Sequence, residues 1–130
     1  MLAAARPVAF LTTSDADRAR AFYETTLGLR FVEDQGFALV FDLGGLPLRI
    51  ARAASFLAQD GTVLGWQVGD IDAVVHMLAA RGVNLERYGL PEQGPDGVWR
   101  SPSGALVAWF RDPDGNVLSV TQDQPRSSRS

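Results

Sequence analysis

The stretch "RDPDGNVLSV", residues 111–120, decides how this chain is read. Asp112-Pro113-Asp114-Gly115-Asn116 has the chemistry of a tight turn: Pro presets φ, Asp and Asn bond to nearby backbone, and Gly accepts a positive φ. Val117–Val120 read as the strand that leaves the turn, and "ALVAWF" (105–110) as the strand that enters it. Alternation sorts their side chains. Leu106, Ala108 and Phe110 share one face, with Val107 and Trp109 on the other. Leu118 and Val120 share one face, with Val117, Ser119 and Thr121 on the other. The uniformly apolar set is expected to pack on a helix. The mixed set, a Ser and a Thr beside a Trp, is expected either to line a concavity or simply to face water, and alternation weighs the two equally.

Outward from the turn, the chain repeats one order of elements. "PVAFLTT" (7–13) reads as a strand, and Ser14 or Asp15 as the cap of a helix over about 15–27, with Asp17 near its positive end. Ala16, Ala19, Phe22, Tyr23 and Leu27 fall on one side of that helix, and Gly28 follows as its stop. "LRFVED", "FALVFDL" and "LPLRIAR" read as three strands separated by Gly36 and Gly44-Gly45. The second half opens with the strand "TVLGWQV" (62–68). Gly69-Asp70 leads into a helix with Ile71, Val74, Val75 and Leu78 at i, i+3, i+4 and i+7, ending at Gly82. "VNLER", "GVWRS", "ALVAWF" and "NVLSVTQ" read as strands, and "YGLPEQGPDG" (88–97) as a loop. Two halves of about sixty residues, each β-α-β-β-β, make an internal duplication. "FLTTSDADRARAFYETTLGL" and "GWQVGDIDAVVHMLAARGV" carry the same repeat in their letters.

Composition narrows the function classes. A length of 130 residues gives one domain with a real core. Twelve basic against fifteen acidic residues, net −3, argue against nucleic acid as a partner, which needs clustered Lys and Arg. The absence of Cys excludes disulfides, thiolate metal sites and a cysteine nucleophile. No apolar run reaches the ~20 residues that span a bilayer, and "MLAAARPVAF" runs directly into a strand, so a cytoplasmic location away from membranes is expected. The polar tail "DQPRSSRS" (123–130) is expected to be disordered.

The duplicated unit, "SDADRARAFYETTLGL" and "WFRDPDGNVLSV" together resemble the vicinal oxygen chelate superfamily of glyoxalases, bleomycin resistance proteins and extradiol dioxygenases. The likeness covers about residues 7–122. It implies an α+β fold: two tandem βαβββ modules (about 7–53 and 62–122) forming a curved mixed sheet around a cup-shaped cavity, with the helices on the outer face. It also implies, in the metal-dependent members, a divalent ion in the cup. Its ligands come from a first-strand His, a fourth-strand carboxylate, a His or Gln opening the second half, and a Glu after the DPDG turn. These positions fall on Val8, Arg49, Val63 and Ser119. Two aliphatics, a cation and a neutral hydroxyl do not make a ligand set for such an ion. The lone histidine, His76, lies off the apolar stripe of its helix and is expected at the surface. No cofactor or metal is expected.

The face that holds metal in relatives is therefore expected to hold something else. Trp109 offers a flat wall for a ring or a cation, and Arg49 a guanidinium for a carboxylate, phosphate or enolate. Core packing is an equal account of Trp109, and an edge-strand salt bridge a somewhat better account of Arg49. Phe10, Thr12, Val63, Gln67, Ser119 and Thr121 share the parity of the ligand positions. Trp66 has core parity, while Trp99 fits a rim or a subunit contact. By resemblance to the bleomycin resistance proteins, the expected function is metal-free binding of a small aromatic or amphipathic molecule by a homodimer. The alternatives are a divergent glyoxalase-, isomerase- or dioxygenase-like enzyme and a ligand-free structural dimer.

Overall fold

The computed structural model describes residues 1–123; residues 124–130 of the expected tail lie outside the described residues. After a single 3-10 turn at Leu2–Ala4 come β1 (Ala9–Thr13) and α1 (Ala16–Arg20), which continues as a π-helical turn over Ala21–Thr26. β2 (Arg30–Asp34), β3 (Ala38–Asp42) and β4 (Pro47–Arg52) complete the first set. β5 (Thr62–Gln67), α2 (Ile71–Ala80), β6 (Trp99–Arg100), β7 (Leu106–Arg111) and β8 (Val117–Gln122) form the second. The strands pair in the order β1-β4-β3-β2 in one sheet and β5-β8-β7-β6 in the other. In each, the first strand runs parallel to the last and the other pairings are antiparallel. The duplication read from the sequence is thus a duplication of topology, and the chain is an α+β protein of two βαβββ modules.

Two compact units result. In the first, the register brings Leu11, Leu39 and Ile50 into one row and Phe41 and Leu48 into another, all on one face. These side chains are buried together with Ala19 and Tyr23 of the helix. The Phe41 ring lies 6.0 Å from Tyr23 and 5.4 Å from Phe31, between centroids. Burying each such large side chain contributes roughly 1.5–3 kcal/mol. In the second unit Leu106, Ala108, Phe110, Leu118 and Val120 are buried with Ile71 and Leu78 of α2. This is the uniformly apolar face expected from alternation.

Both helices start alike. The Asp15 carboxylate accepts from the Arg18 N–H at 3.1 Å, and that of Asp70 from the Ala73 N–H at 3.1 Å. Asp15, rather than Ser14, is the cap. The Gln122 side chain accepts from the Ile71 N–H at 2.8 Å and satisfies a further orphan donor of α2. Gly28 and Gly82 take φ of 76° and 81° after the helices, the left-handed stop expected of them.

The DPDG turn divides its labour. Asp112 and Asn116 close the hairpin: the Asn116 N–H and side-chain amide donate to the Asp112 carboxylate at 2.9 and 2.8 Å. Pro113–Gly115 belong instead with the first unit. There the Asp114 carboxylate accepts from the Thr13 hydroxyl at 2.6 Å and from the Ser14 N–H and hydroxyl at 2.8 Å each.

Several expectations are corrected. "VNLER" is not a strand; only an isolated bridge joins Leu85 to Phe110. "GVWRS" shrinks to the two residues of β6, because the Gly104 N–H and the Ser101 carbonyl close a tight turn beside it. The first helix is not α-helical through Leu27, since its last turn widens to a π-helix. Val117, placed by alternation on the mixed face, is buried.

Candidate functional site

On the second sheet the mixed face carries a compact aromatic group. Trp109 pairs in register with Ser119, and Ser119 with Gly65, so the three form one row across β7, β8 and β5. The next row is Trp99, Val107, Thr121 and Gln67. The Trp99 ring lies 5.7 Å from that of Trp109, tilted by 34°, and the Tyr88 ring meets Trp109 edge-on at 5.3 Å. Trp99 is held by its indole N–H, which donates to the Pro91 carbonyl at 2.8 Å. The role left open for Trp99 is therefore to flank Trp109. Trp66 lies on the opposite face, half-buried and paired with Val120.

Tyr88 opens the segment 88–97 that the sequence predicts as a loop. Gln93 fixes that loop: its carbonyl accepts from the Tyr88 N–H at 3.0 Å, and its amide donates to the Glu86 and Gly97 carbonyls. Glu86 in turn accepts from Arg111 at 3.0 Å. Partial burial and the nearby Glu86 carboxylate raise the Tyr88 pKa, with Arg111 opposing, so the phenol stays protonated at neutral pH. An alternation of apolar letters could not find Tyr88, because a side-chain hydrogen bond sets its direction.

Beside Trp109 the floor is low. A Cβ added at Gly65 would sit 2.5 Å from the Ser119 Oγ, so the serine side chain occupies the space that the glycine leaves open. Gln67 donates its amide to the Asp123 carboxylate. Val63 is exposed and lies at a register shift between Thr62 and Leu64, so Gly65 rather than Val63 is the neighbour of Ser119.

On the first sheet the face away from the helix holds Phe10, Arg49 and Val40 in one row, with Thr12, Ala51 and Ala38 in the next. Phe10 is 60% exposed, and the Arg49 guanidinium carbon lies 6.0 Å from its ring centroid.

The four positions where the resemblance implies metal ligands hold Val8, Arg49, Val63 and Ser119, and these residues do not fit a divalent ion. Arg49 and the two valines offer no lone pair, and a lone serine hydroxyl is a weak donor for such an ion. Among the described residues no three His, Asp or Glu side chains converge in a way that could hold one. His76 is exposed on α2. No helix among the described residues is long and apolar enough to cross a membrane.

Comparison with known proteins agrees with the topology. The family described as Glyoxalase/Bleomycin resistance protein/Dioxygenase superfamily matches residues 5–120. Among solved structures, a glyoxalase family protein from Enterococcus faecalis is similar with a TM-score of 0.74 and 20% identity, over 94% of this chain and 100% of that one. A lactoylglutathione lyase from Agrobacterium tumefaciens is similar with a TM-score of 0.70 and 23% identity, over 92% and 93%. TioX from Micromonospora sp. ML1 follows with 0.69 and 20%, over 92% and 98%. At these identities the likeness is one of fold. No curated protein sequence matches the chain significantly.

Proposed function

The chain belongs to the glyoxalase/bleomycin resistance protein/dioxygenase superfamily, and from that premise we propose that it is a metal-free binding protein for a small aromatic or amphipathic molecule. One observation carries the reading. Trp109 stands on the open face of the second sheet with Trp99 and Tyr88 packed around it and the small residues Ser119 and Gly65 beside it. Rigid rings flanking a low, mostly backbone floor suit a flat apolar ligand, and aromatic contacts of this kind contribute about 0.5–1.5 kcal/mol beyond area burial. Ser119 and Thr121 supply hydroxyls along the same face, with Gln67 at its edge and Val63 at the strand's start. Phe10, Thr12 and Arg49 lie on the face of the first sheet away from its helix. The protein acts as a cytoplasmic homodimer, because open sheet edges and exposed faces are surfaces that a second copy covers at little cost.

Tryptophan fluorescence tests the proposal. A panel of planar compounds (naphthalene, indole and quinoline derivatives) is titrated into wild type and Trp109→Ala. At least one compound is expected to quench the wild type saturably and to lose tenfold or more in affinity on Trp109→Ala, as loss of one stacking wall implies. If nothing in the panel quenches, or the variant binds as well as wild type, the proposal is wrong.

A further inference from the structure

We infer that the second unit carries a separate binding site, for a small zwitterion of the α-amino acid type. It lies in the recess that β6 forms with the loop before it, where Glu92 receives the ammonium group and Arg100 the carboxylate.

The loop and β6 make a short antiparallel pair. A bridge joins Gln93 to Trp99, the Arg100 N–H donates to the Glu92 carbonyl at 3.2 Å, and the Gly94 N–H to the Val98 carbonyl at 2.9 Å. Glu92 therefore stands directly across from Arg100, and side chains so placed share one face. That face is also the face of Leu106, which pairs with Arg100, and it lies opposite to Trp99 and Trp109. The site is thus distinct from the aromatic group. Glu92, Asp96, Val98, Arg100 and Leu106 border a recess of about 330 Å³, near the lower end of the range for small-molecule clefts. Val98 and Leu106 are buried and give it an apolar floor.

Two observations single out the charged pair. Opposite charges directly across a strand pair attract each other. Yet neither Glu92 nor Arg100 has an ion pair or a side-chain hydrogen bond among the described residues. The neighbouring charges hold the loop together instead: Arg87 donates to the Gly94 and Pro95 carbonyls, and Asp96 accepts from the Val98 N–H at 3.0 Å. The second observation is the backbone of Glu92. Its φ of 67° is the one positive value outside glycine among the described residues, and glycines hold the nine others. A side chain there is strained. The hydrogen bonds of Gln93 to Tyr88, Glu86 and Gly97 fix the loop that imposes the strain. A carboxylate is thus kept where the backbone alone favours glycine.

An α-amino acid answers both charges at once. Its carboxylate matches the planar fork of the guanidinium. Its ammonium group has three donors, for which Glu92 is the unengaged acceptor. Its apolar side chain covers Val98 and Leu106. A ligand with only one charge leaves Glu92 or Arg100 unanswered.

The test compares L-leucine with 3-methylbutylamine, which lacks the carboxylate, and 4-methylpentanoate, which lacks the ammonium group. The backbone amide resonances of Val98, Arg100 and Leu106 are followed through each titration. L-leucine is expected to move them saturably and to bind roughly fivefold or more tightly than either analogue, since each analogue loses a charge-assisted bond. Glu92→Gln is expected to bind L-leucine and 4-methylpentanoate equally, and Arg100→Gln to bind L-leucine and 3-methylbutylamine equally. Arg100→Lys, which keeps the charge, is expected to retain a preference for L-leucine over the amine. Three compounds that bind alike overturn the inference, as does unchanged L-leucine affinity in both glutamine variants. So does L-leucine that moves none of these resonances up to its solubility, or that moves only those of Trp109 and Ser119 on the other face.

Discussion

Replacing Asp114 with Ala should cost the first unit about 2–3 kcal/mol. Asp114 comes from the turn that identified the fold, yet its side chain is 2% exposed and makes its bonds to Thr13, Ser14 and Arg18. The Thr13 hydroxyl is buried and accepts from the Asp15 N–H at 3.0 Å, so its single proton is free for the carboxylate at 2.6 Å. Loss of that charge-assisted bond costs roughly 1.5 kcal/mol, softened because the Asp15 carbonyl, 3.0 Å away, can take the proton instead. Ser14 is exposed, so water replaces its two bonds and their loss adds about 1 kcal/mol. Arg18, half-exposed and 3.5 Å away, adds a few tenths at most.

A loss of that size lowers Tm by roughly 10 °C in a domain of this length. Thermal and urea denaturation followed by circular dichroism would measure it. Asp114→Asn, which keeps an acceptor for Ser14, should fall between Asp114→Ala and wild type. The pH dependence has a definite sign. Burial pushes the Asp114 pKa up, but the Ser14 N–H, the Thr13 and Ser14 hydroxyls and Arg18 together prevail and lower it. A carboxyl whose folded pKa is depressed contributes in full above its unfolded value, about 4, and loses that contribution as pH falls through the folded value. The gap between wild type and Asp114→Ala should therefore be flat above about pH 5 and narrow below about pH 4. A destabilisation under about 0.7 kcal/mol, or a gap that widens in acid, would refute the account of Asp114 as the acceptor for Thr13 and Ser14.

Two further outcomes follow. Gly65→Ala should destabilise wild type by about 1 kcal/mol, because its Cβ would meet the Ser119 Oγ at 2.5 Å. In a Ser119→Ala background the same change should cost less, since the contact with Oγ is gone and only the residue-119 carbonyl at 3.3 Å still crowds the new Cβ. A double-mutant cycle in denaturant measures the coupling, and a coupling near zero would mean that the two positions do not share this space. Elemental analysis of protein purified without chelator should give well under one transition metal per chain, in wild type and equally in Ser119→Glu, because one restored carboxylate does not rebuild a site whose other positions are Val8, Arg49 and Val63. A stoichiometric metal in wild type would favour the divergent-enzyme alternative.

The elements most legible in the sequence are those that bury one face. β7, and β8 from Leu118 onward, alternate in burial because Leu106, Ala108, Phe110, Leu118 and Val120 are all buried together with residues of α2. The same constraint placed Trp109 on the face of Ser119, ten residues away in the chain and adjacent in the sheet. Edge segments carry no such constraint. "VNLER" has the letters of a strand, but the hydrogen bonds of Gln93 pull the chain from Glu86 to Gly97 into a loop, and that loop delivers Tyr88 to Trp109. A loop organised by one glutamine leaves no periodic trace.

Arg49 and Arg52 show what a sequence withholds even when alternation is read correctly. In "LPLRIAR" the two arginines are three residues apart and so face opposite ways on β4. Asp34, Asp42 and Glu33 all lie within reach along the chain, and any of them could be assigned to either arginine on paper. Three through-space choices decide the outcome. The β2–β3 pairing sets Asp34 beside Arg52, the turn at Gly44-Gly45 takes Asp42, and Gln35 takes Glu33. Position alone identified Arg49 as the residue where the family's carboxylate would stand. That its Nε is buried with no hydrogen-bond partner among the described residues is a through-space fact which the letters alone do not carry.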